Sequence, residues 1–244
     1  MEDIESLIEA VVSRLKKYEN VRTIILIGSQ ARGDSNEFSD IDLVIITNGY
    51  YSRTEIEKIL PINLKDIRLS LLTYPSDRFM ELYQSGALFM LHVINEGIVL
   101  FDDGFYNNLR KTYFRLSKED LTTQWKIIKQ TMKLYNDLDI YGGIYITCLS
   151  HLFSIIKNVA VTSLASKGDY EFNKTISLDK LKIYYPTLEQ DIEELSELKK
   201  YSLLWSKNIR TKNFKYEFYS KEKTIKHIKQ LNKIIKKVEL NEFR

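Results

Sequence analysis

"IILIGSQARGDSNEFSDIDLVIIT", residues 24–47, sets a glycine-serine turn and two aspartates between two runs of branched apolar residues. Arg22–Ile27 reads as a β-strand that stops at Gly28, and Ser39–Thr47 as a second strand. Period-two alternation puts Asp40 and Asp42 on one face of that strand, about 7 Å apart, and Ile41 and Leu43 on the other. Two like charges at a strand edge need compensation, because anions near 4 Å repel by about 4 kcal/mol at an effective dielectric near 20. A divalent cation turns that repulsion into a binding site, and Mg²⁺ takes a few carboxylate oxygens together with substrate phosphates. On its own an Asp-x-Asp is a weak signal, since any exposed strand can carry alternate aspartates.

The preceding turn supplies the complementary chemistry. Gly28 lets backbone approach a ligand closely, a following helix N-terminus offers free N–H groups to phosphate, Ser29 adds a hydroxyl, and Arg32 offers a bidentate guanidinium. The spelling "GSQARGD" lacks the Lys-Ser/Thr of a P-loop and the spacing of a dinucleotide fingerprint. A phosphate cradle and a carboxylate metal site on adjacent strands together describe phosphoryl or nucleotidyl transfer involving a nucleoside triphosphate.

Outward from this stretch the chain divides in character. Residues 1–103 carry 10 Lys/Arg against 17 Asp/Glu and residues 104–244 carry 26 against 16, so the halves hold −7 and +10 of the net +3. Ile4, Leu7, Ile8, Val11, Val12 and Leu15 predict an amphipathic helix over 3–18. A helix near 53–60, a strand over 65–74, helices at 77–84 (capped by Ser76) and 86–95, and a strand in "EGIVLFDDG" complete an α/β unit ending at residue 103. Residues 104–244 read as helical throughout. Ser117 with Asp120 and Thr187 with Gln190 have capping-box spacing, the second opening a helix to about 205. Residues 144–164 form the central helix, and 220–240 an amphipathic one with seven lysines outward. The fold class expected is α/β (α+β) with a small mixed sheet, followed by an all-α helical bundle.

Other classes fit poorly. One cysteine, Cys148 in an apolar run, excludes a disulfide framework. With the acidic N-terminus and no stretch read as long enough to span a bilayer, the expectation is a cytoplasmic protein without a membrane partner. His92, His151 and His227 are too scattered for zinc. His92 is expected to be structural, Glu96 a turn residue or a candidate base, His151 a core or interdomain residue, and His227 exposed. The aromatics of 101–114 and 214–219 are expected in the core. The lysine-rich half reads as a solvated face, and no nucleic-acid-binding signature stands out, so nucleic acid is not favoured.

"GSQARGDSNEFSDIDLVI" resembles the signature of the nucleotidyltransferase superfamily that includes DNA polymerase beta, the antibiotic nucleotidyltransferases and the minimal nucleotidyltransferases. There a Gly-Ser closes the first strand and an Asp-apolar-Asp opens the second; here residues 30–39 separate Ser29 from Asp40. The resemblance implies that Gly28 and Ser29, with Arg32 and Ser39, bind the nucleotide, while Asp40 and Asp42 are catalytic and ligate Mg²⁺. It also covers "SLLTYPSDRFMELYQSGALFMLHVINEGIVLFDD" and, less specifically, the helical remainder, as in two-domain members. The pattern breaks at "KDIRLSLL": where members carry a third carboxylate, Arg68 stands, and Asp66 is the nearest catalytic candidate.

The implied activity is Mg²⁺-dependent transfer of a nucleoside monophosphate, AMP from ATP foremost, to a hydroxyl of a small molecule such as an aminoglycoside-like antibiotic, or of a protein. Two alternatives stay open: a non-catalytic nucleotide- or partner-binding member of toxin–antitoxin type, and a nucleic-acid-modifying enzyme. The acceptor, the choice of nucleotide and homodimer formation are left open by the sequence.

Overall fold

Two strands made almost wholly of Ile, Leu and Val need cover on both faces, and the chain provides it. In the computed structural model, which describes residues 4–36, 39–50, 54, 55, 58, 60, 69–207 and 220–243, β1 (Val21–Ile27) and β2 (Ile41–Thr47) lie at the centre of a sheet completed by β3 (Leu69–Pro75) and β4 (Ile98–Asp102). The order is β3-β2-β1-β4. β1 runs antiparallel to β2 and β4, and β2 parallel to β3, so the sheet is mixed.

Alternate residues feed two cores. Ile24, Leu26, Leu43 and Ile45 pack with Val11 and Leu15 of α1 (Ile4–Leu15) on one face. Ile25, Ile27, Val44 and Ile46 pack on the other with Phe79, Met90, Val93 and Tyr106. These come from α3 (Ser76–Gln84), α4 (Leu88–Glu96) and α5 (Phe105–Leu109); α2 (Gly28–Arg32) is the single turn directly after β1.

The chain divides into two compact units, Met1–Asp120 and Leu121–Arg244. The boundary expected after Asp103 lies within the first unit, because Tyr106 and Leu109 belong to its sheet core. Asp120 belongs there too: its carboxylate accepts from the Leu88 amide at the start of α4 (2.9 Å). Only half of the Ser117 capping box therefore forms, the Asp120 amide donating to Ser117 Oγ at 3.2 Å.

The second unit is a helical bundle. α6 (Lys118–Lys133) leads into it, and α7 (Ile146–Ser166) forms its centre, touching α8 (Lys174–Tyr184), α9 (Glu189–Ser196), α10 (Lys199–Lys207) and α11 (Lys221–Glu242). By length and hydropathy α7 is long and apolar enough to cross a membrane, contrary to expectation, but 72% of its most apolar window is buried within the bundle.

Several local expectations are corrected. Ser76 is the first residue of α3, and the cap position falls to Pro75 without a side-chain bond. Thr187 forms no capping box; Pro186–Leu188 makes a 3₁₀ turn before α9, and the predicted single helix to 205 breaks at Glu197–Leu198. His151 is exposed, and His227 is buried, its Nδ1 2.9 Å from Gln230 Oε1. Of the aromatics expected in the core, Tyr106 is buried and Tyr113 is 87% exposed; residues 214–219 lie outside the described residues.

Candidate active site

β1 delivers the chain into the site. Its last residue, Ile27, pairs with Asp42 on β2. Gly28 then takes φ +75°, a left-handed value that any other residue reaches only with strain. A Cβ built at Gly28 would lie 2.6 Å from Asp42 Oδ2. The glycine is therefore what lets the Asp42 carboxylate lie directly against the turn. Sequence spacing brought Gly28 and Asp42 onto adjacent strands; this contact is what the fold adds.

α2 runs for five residues, with no side-chain bond at its N-cap, and ends at Gly33, whose left-handed backbone donates its amide to the Ser29 carbonyl. Ser29 is half-buried. The amide of Gln30, which sequence reasoning passed over, has its Nε2 buried without a hydrogen-bond partner. The loop back to β2 is tied at Ser39, whose Oγ accepts from the Asn36 amide at 2.9 Å while its own amide donates to the Asn36 carbonyl. Ser39 thus fixes the approach to Asp40, which precedes the strand: β2 begins at Ile41, two residues later than expected. Asp40 and Asp42 are both half-exposed, whereas Ile41 and Leu43 are buried, as the alternation predicts.

Arg32 is held by two carboxylates. Nη1 meets Glu96 Oε2 at 2.7 Å, and Nη2 and Nε each approach an oxygen of Asp34 at 3.3 Å. His92 Nε2 stands 3.0 Å from the same Glu96 oxygen. Burial opposes ionisation of Glu96, but the hydrogen bonds and charges of His92 and Arg32 outweigh it and hold its carboxyl below the usual range. Burial likewise works against the Arg32 charge, and Glu96 and Asp34 raise the guanidinium above its ordinary value nonetheless. Glu96 is thus a paired counter-ion, poorly suited to the base role considered for it. No spacing rule points to a partner 64 residues from Arg32.

In the parallel register Asp42 lies opposite Ser70. Asp66 and Arg68, where the third carboxylate was sought, lie outside the described residues. Among the described residues no group of three His, Cys, Asp or Glu side chains is placed to hold a metal. Asp40 and Asp42 remain a pair of hard oxygen donors, and the glycine-lined space beside Asp42 Oδ2 suits a small divalent cation bound with phosphate. The acidic segment 187–198 is not a free anionic surface. Glu194 is pushed down to about 2 by the Lys226 and Gln230 hydrogen bonds, and Asp191 pairs with Lys233 at 2.7 Å.

Residues 9–104 match the family model "Polymerase beta, Nucleotidyltransferase". The N-terminal domain belongs to the nucleotidyltransferase superfamily. Its motif is the turn-and-strand pair just described, and the domain is of the nucleotidyltransferase enzyme class. No curated protein matches in sequence. Among solved structures, the chain is similar to the spectinomycin adenyltransferase AAD(9) of Enterococcus faecialis, crystallised with ATP and spectinomycin. The match has 12% identity and a TM-score of 0.57, over 95% of this chain and 99% of that one. A nucleotidyltransferase-like protein from Exiguobacterium sibiricum matches with 15% identity and a TM-score of 0.39, over 96% and 75%. A toxin–antitoxin structure with AMP-PNP matches with 15% identity and a TM-score of 0.33, over 52% and 97%. The first of these extends the likeness in fold beyond the nucleotidyltransferase domain to the helical remainder.

Proposed function

We propose that the protein transfers a nucleoside monophosphate, AMP from ATP, to a hydroxyl group of an acceptor in a Mg²⁺-dependent reaction. The observation that carries this reading is the contact between the Gly28 turn and the Asp42 carboxylate, which brings a phosphate-binding backbone and a metal ligand to one point. Gly28 and Ser29 hold the triphosphate through backbone amides and the Ser29 hydroxyl, and Ser39 holds the loop that presents Asp40. Arg32 brings the cation of the motif to the same turn. Asp40 and Asp42 are the ligands for Mg²⁺, which when bound offsets the charge of the phosphates. Asp66 remains the proposed third carboxylate.

The acceptor hydroxyl oxygen forms the new bond to the α-phosphorus, the bond from that phosphorus to the bridging oxygen breaks, and pyrophosphate leaves with that oxygen. The hydroxyl proton passes to a carboxylate base. The fold shared with a spectinomycin adenyltransferase supports a small hydroxylated acceptor as the first to test, with a protein hydroxyl as the second.

The test is incubation with Mg²⁺ and α-labelled ATP in the presence of spectinomycin, aminoglycosides, lincosamides or cell extract. Label is expected in one acceptor, and Asp42→Asn is expected to abolish it while the protein stays folded. No label in any acceptor, together with equal ATP and Mg²⁺ binding by wild type and Asp42→Asn, would sink the proposal.

A further inference from the structure

A helix of five residues cannot hold itself: isolated helices below about 12–15 residues are marginal in water. α2 nevertheless carries Ser29 and borders Asp42, so its position must come from tertiary anchors. Its interior bonds end with the Gly33 and Asp34 amides, both donated to the Ser29 carbonyl. Ala31 packs on the sheet core, and the polar handle is Arg32 in the last turn, whose bond to Glu96 reaches across to the end of α4.

α4 is a firm support. Met90 and Val93 are fully buried in the sheet core, and a Cβ at Gly97 would lie 2.3 Å from the Val93 carbonyl, so the chain is packed tightly just past Glu96. The side chains of Arg32 and Glu96 are only 18% and 14% exposed. Removing Glu96 takes from the half-buried Arg32 its shorter carboxylate contact and leaves the one to Asp34. Three of the five guanidinium N–H groups already face carboxylate oxygens, so two carboxylates compete with phosphate for the Arg32 charge.

We infer that Glu96, braced by His92, is a positioning residue for the nucleotide site, and that Arg32 serves as the anchor of the phosphate-side turn rather than as a phosphate ligand. The inference rests on the nucleotidyltransferase reading for its functional consequence, though not for the anchoring itself.

The two roles of Arg32 predict opposite signs. For an anchor, Glu96→Gln and Arg32→Gln each raise the Kd and KM for ATP about tenfold, the scale of loss seen when a supporting residue behind a ligand is removed. In both variants kcat stays within about threefold, and the double variant is no worse than the worse single one. Glu96→Asp recovers part of the loss, and Glu81→Gln, which breaks only the exposed Arg78–Glu81 pair, behaves as wild type. If Arg32 binds phosphate directly, Glu96→Gln frees it, and ATP binds as well as in wild type or more tightly; that result overturns the inference. Hydrogen exchange without nucleotide gives an arm independent of activity. The amides of residues 29–33 should exchange about tenfold faster in Glu96→Gln while those of β1 and β2 do not change, and unaltered exchange in 29–33 also overturns the inference. A wild-type protein that neither binds ATP nor transfers label defeats the functional reading alone, because the exchange arm still decides the anchor.

Discussion

Gly28→Ala separates the cost of the fold from the cost of the site. At φ +75° an L-residue is strained by about 1–2 kcal/mol. Reduced freedom of the unfolded chain returns about 0.4–1 kcal/mol. The added methyl group meets one close atom, Asp42 Oδ2 at 2.6 Å; the next, Asp42 Cγ and Cβ, are at 3.5 and 3.6 Å. That oxygen is the end of a half-exposed side chain, so rotation relieves the contact cheaply. The expected loss of stability is therefore about 1 kcal/mol, or about 2–4 °C in Tm for a chain of this size. The same rotation moves a proposed metal ligand, so label transfer from ATP should fall by at least about 100-fold and demand more Mg²⁺. Calorimetry and a Mg²⁺ titration of label transfer measure both effects. Wild-type Mg²⁺ dependence in Gly28→Ala would refute the reasoning about the site, and a Tm drop beyond about 10 °C would refute the view that the contact is soft.

Two further predictions concern the helical unit. Glu242, at the end of α11, has a side chain only 4% exposed and accepts from Ser163 Oγ (2.9 Å), Ser166 Oγ (2.6 Å), Lys167 Nζ (2.6 Å) and the Tyr185 hydroxyl. Glu242→Ala should cost about 3 kcal/mol, the lower end for breaking a buried charge pair, read from urea unfolding; a loss below about 1 kcal/mol would contradict this account of the cluster. His227 is kept from protonating chiefly by burial, with Lys226 adding to the effect and Gln230, Glu194 and Glu197 opposing it. Its folded pKa therefore lies below the unfolded value near 6.5. The unfolded chain takes up the proton first, so His227 should cost stability as pH falls through about 6.5, by at most about 1.4 kcal/mol per pH unit. Comparing the pH dependence of unfolding in wild type and His227→Gln between pH 8 and 5.5 isolates that contribution, and identical slopes would refute it.

What the sequence disclosed was what local patterning controls. The Ile-rich strands around Gly28 and Asp42 declared themselves because both sheet faces are covered, α7 because it is a long apolar run, and α11 because its apolar residues recur at helical spacing. His151 was legible too, had the polar stripe His151, Ser154 and Asn158 been followed; none of these three is buried, while Cys148, Leu152 and Ile155 are. His227 was not, because its neighbours in sequence are mostly lysines, whereas Gln230, which it meets, bonds to Glu194 of α9. The Thr187 box failed because Pro186 opens a 3₁₀ turn. Arg32 shows the same limit at the site itself: its neighbours in sequence suggested a phosphate ligand, and its partner in space is Glu96.

Charge decides what the paired aspartates can be. Residues 28–42 contain one cation, Arg32, against Asp34, Glu37, Asp40 and Asp42. The structure gives that cation to Asp34 and Glu96. An arriving triphosphate, itself an anion, would therefore meet the carboxylates of Asp40 and Asp42 at the edge of its proposed cradle. Two ionised carboxylates oppose phosphate at this turn, whereas carboxylates that share a divalent cation with the phosphates attract it. On the proposed function, phosphate binding at Gly28–Ser29 and metal binding at Asp40 and Asp42 are therefore coupled. The Arg32–Glu96 pair fits that reading, because it commits the single cation of residues 28–42 elsewhere.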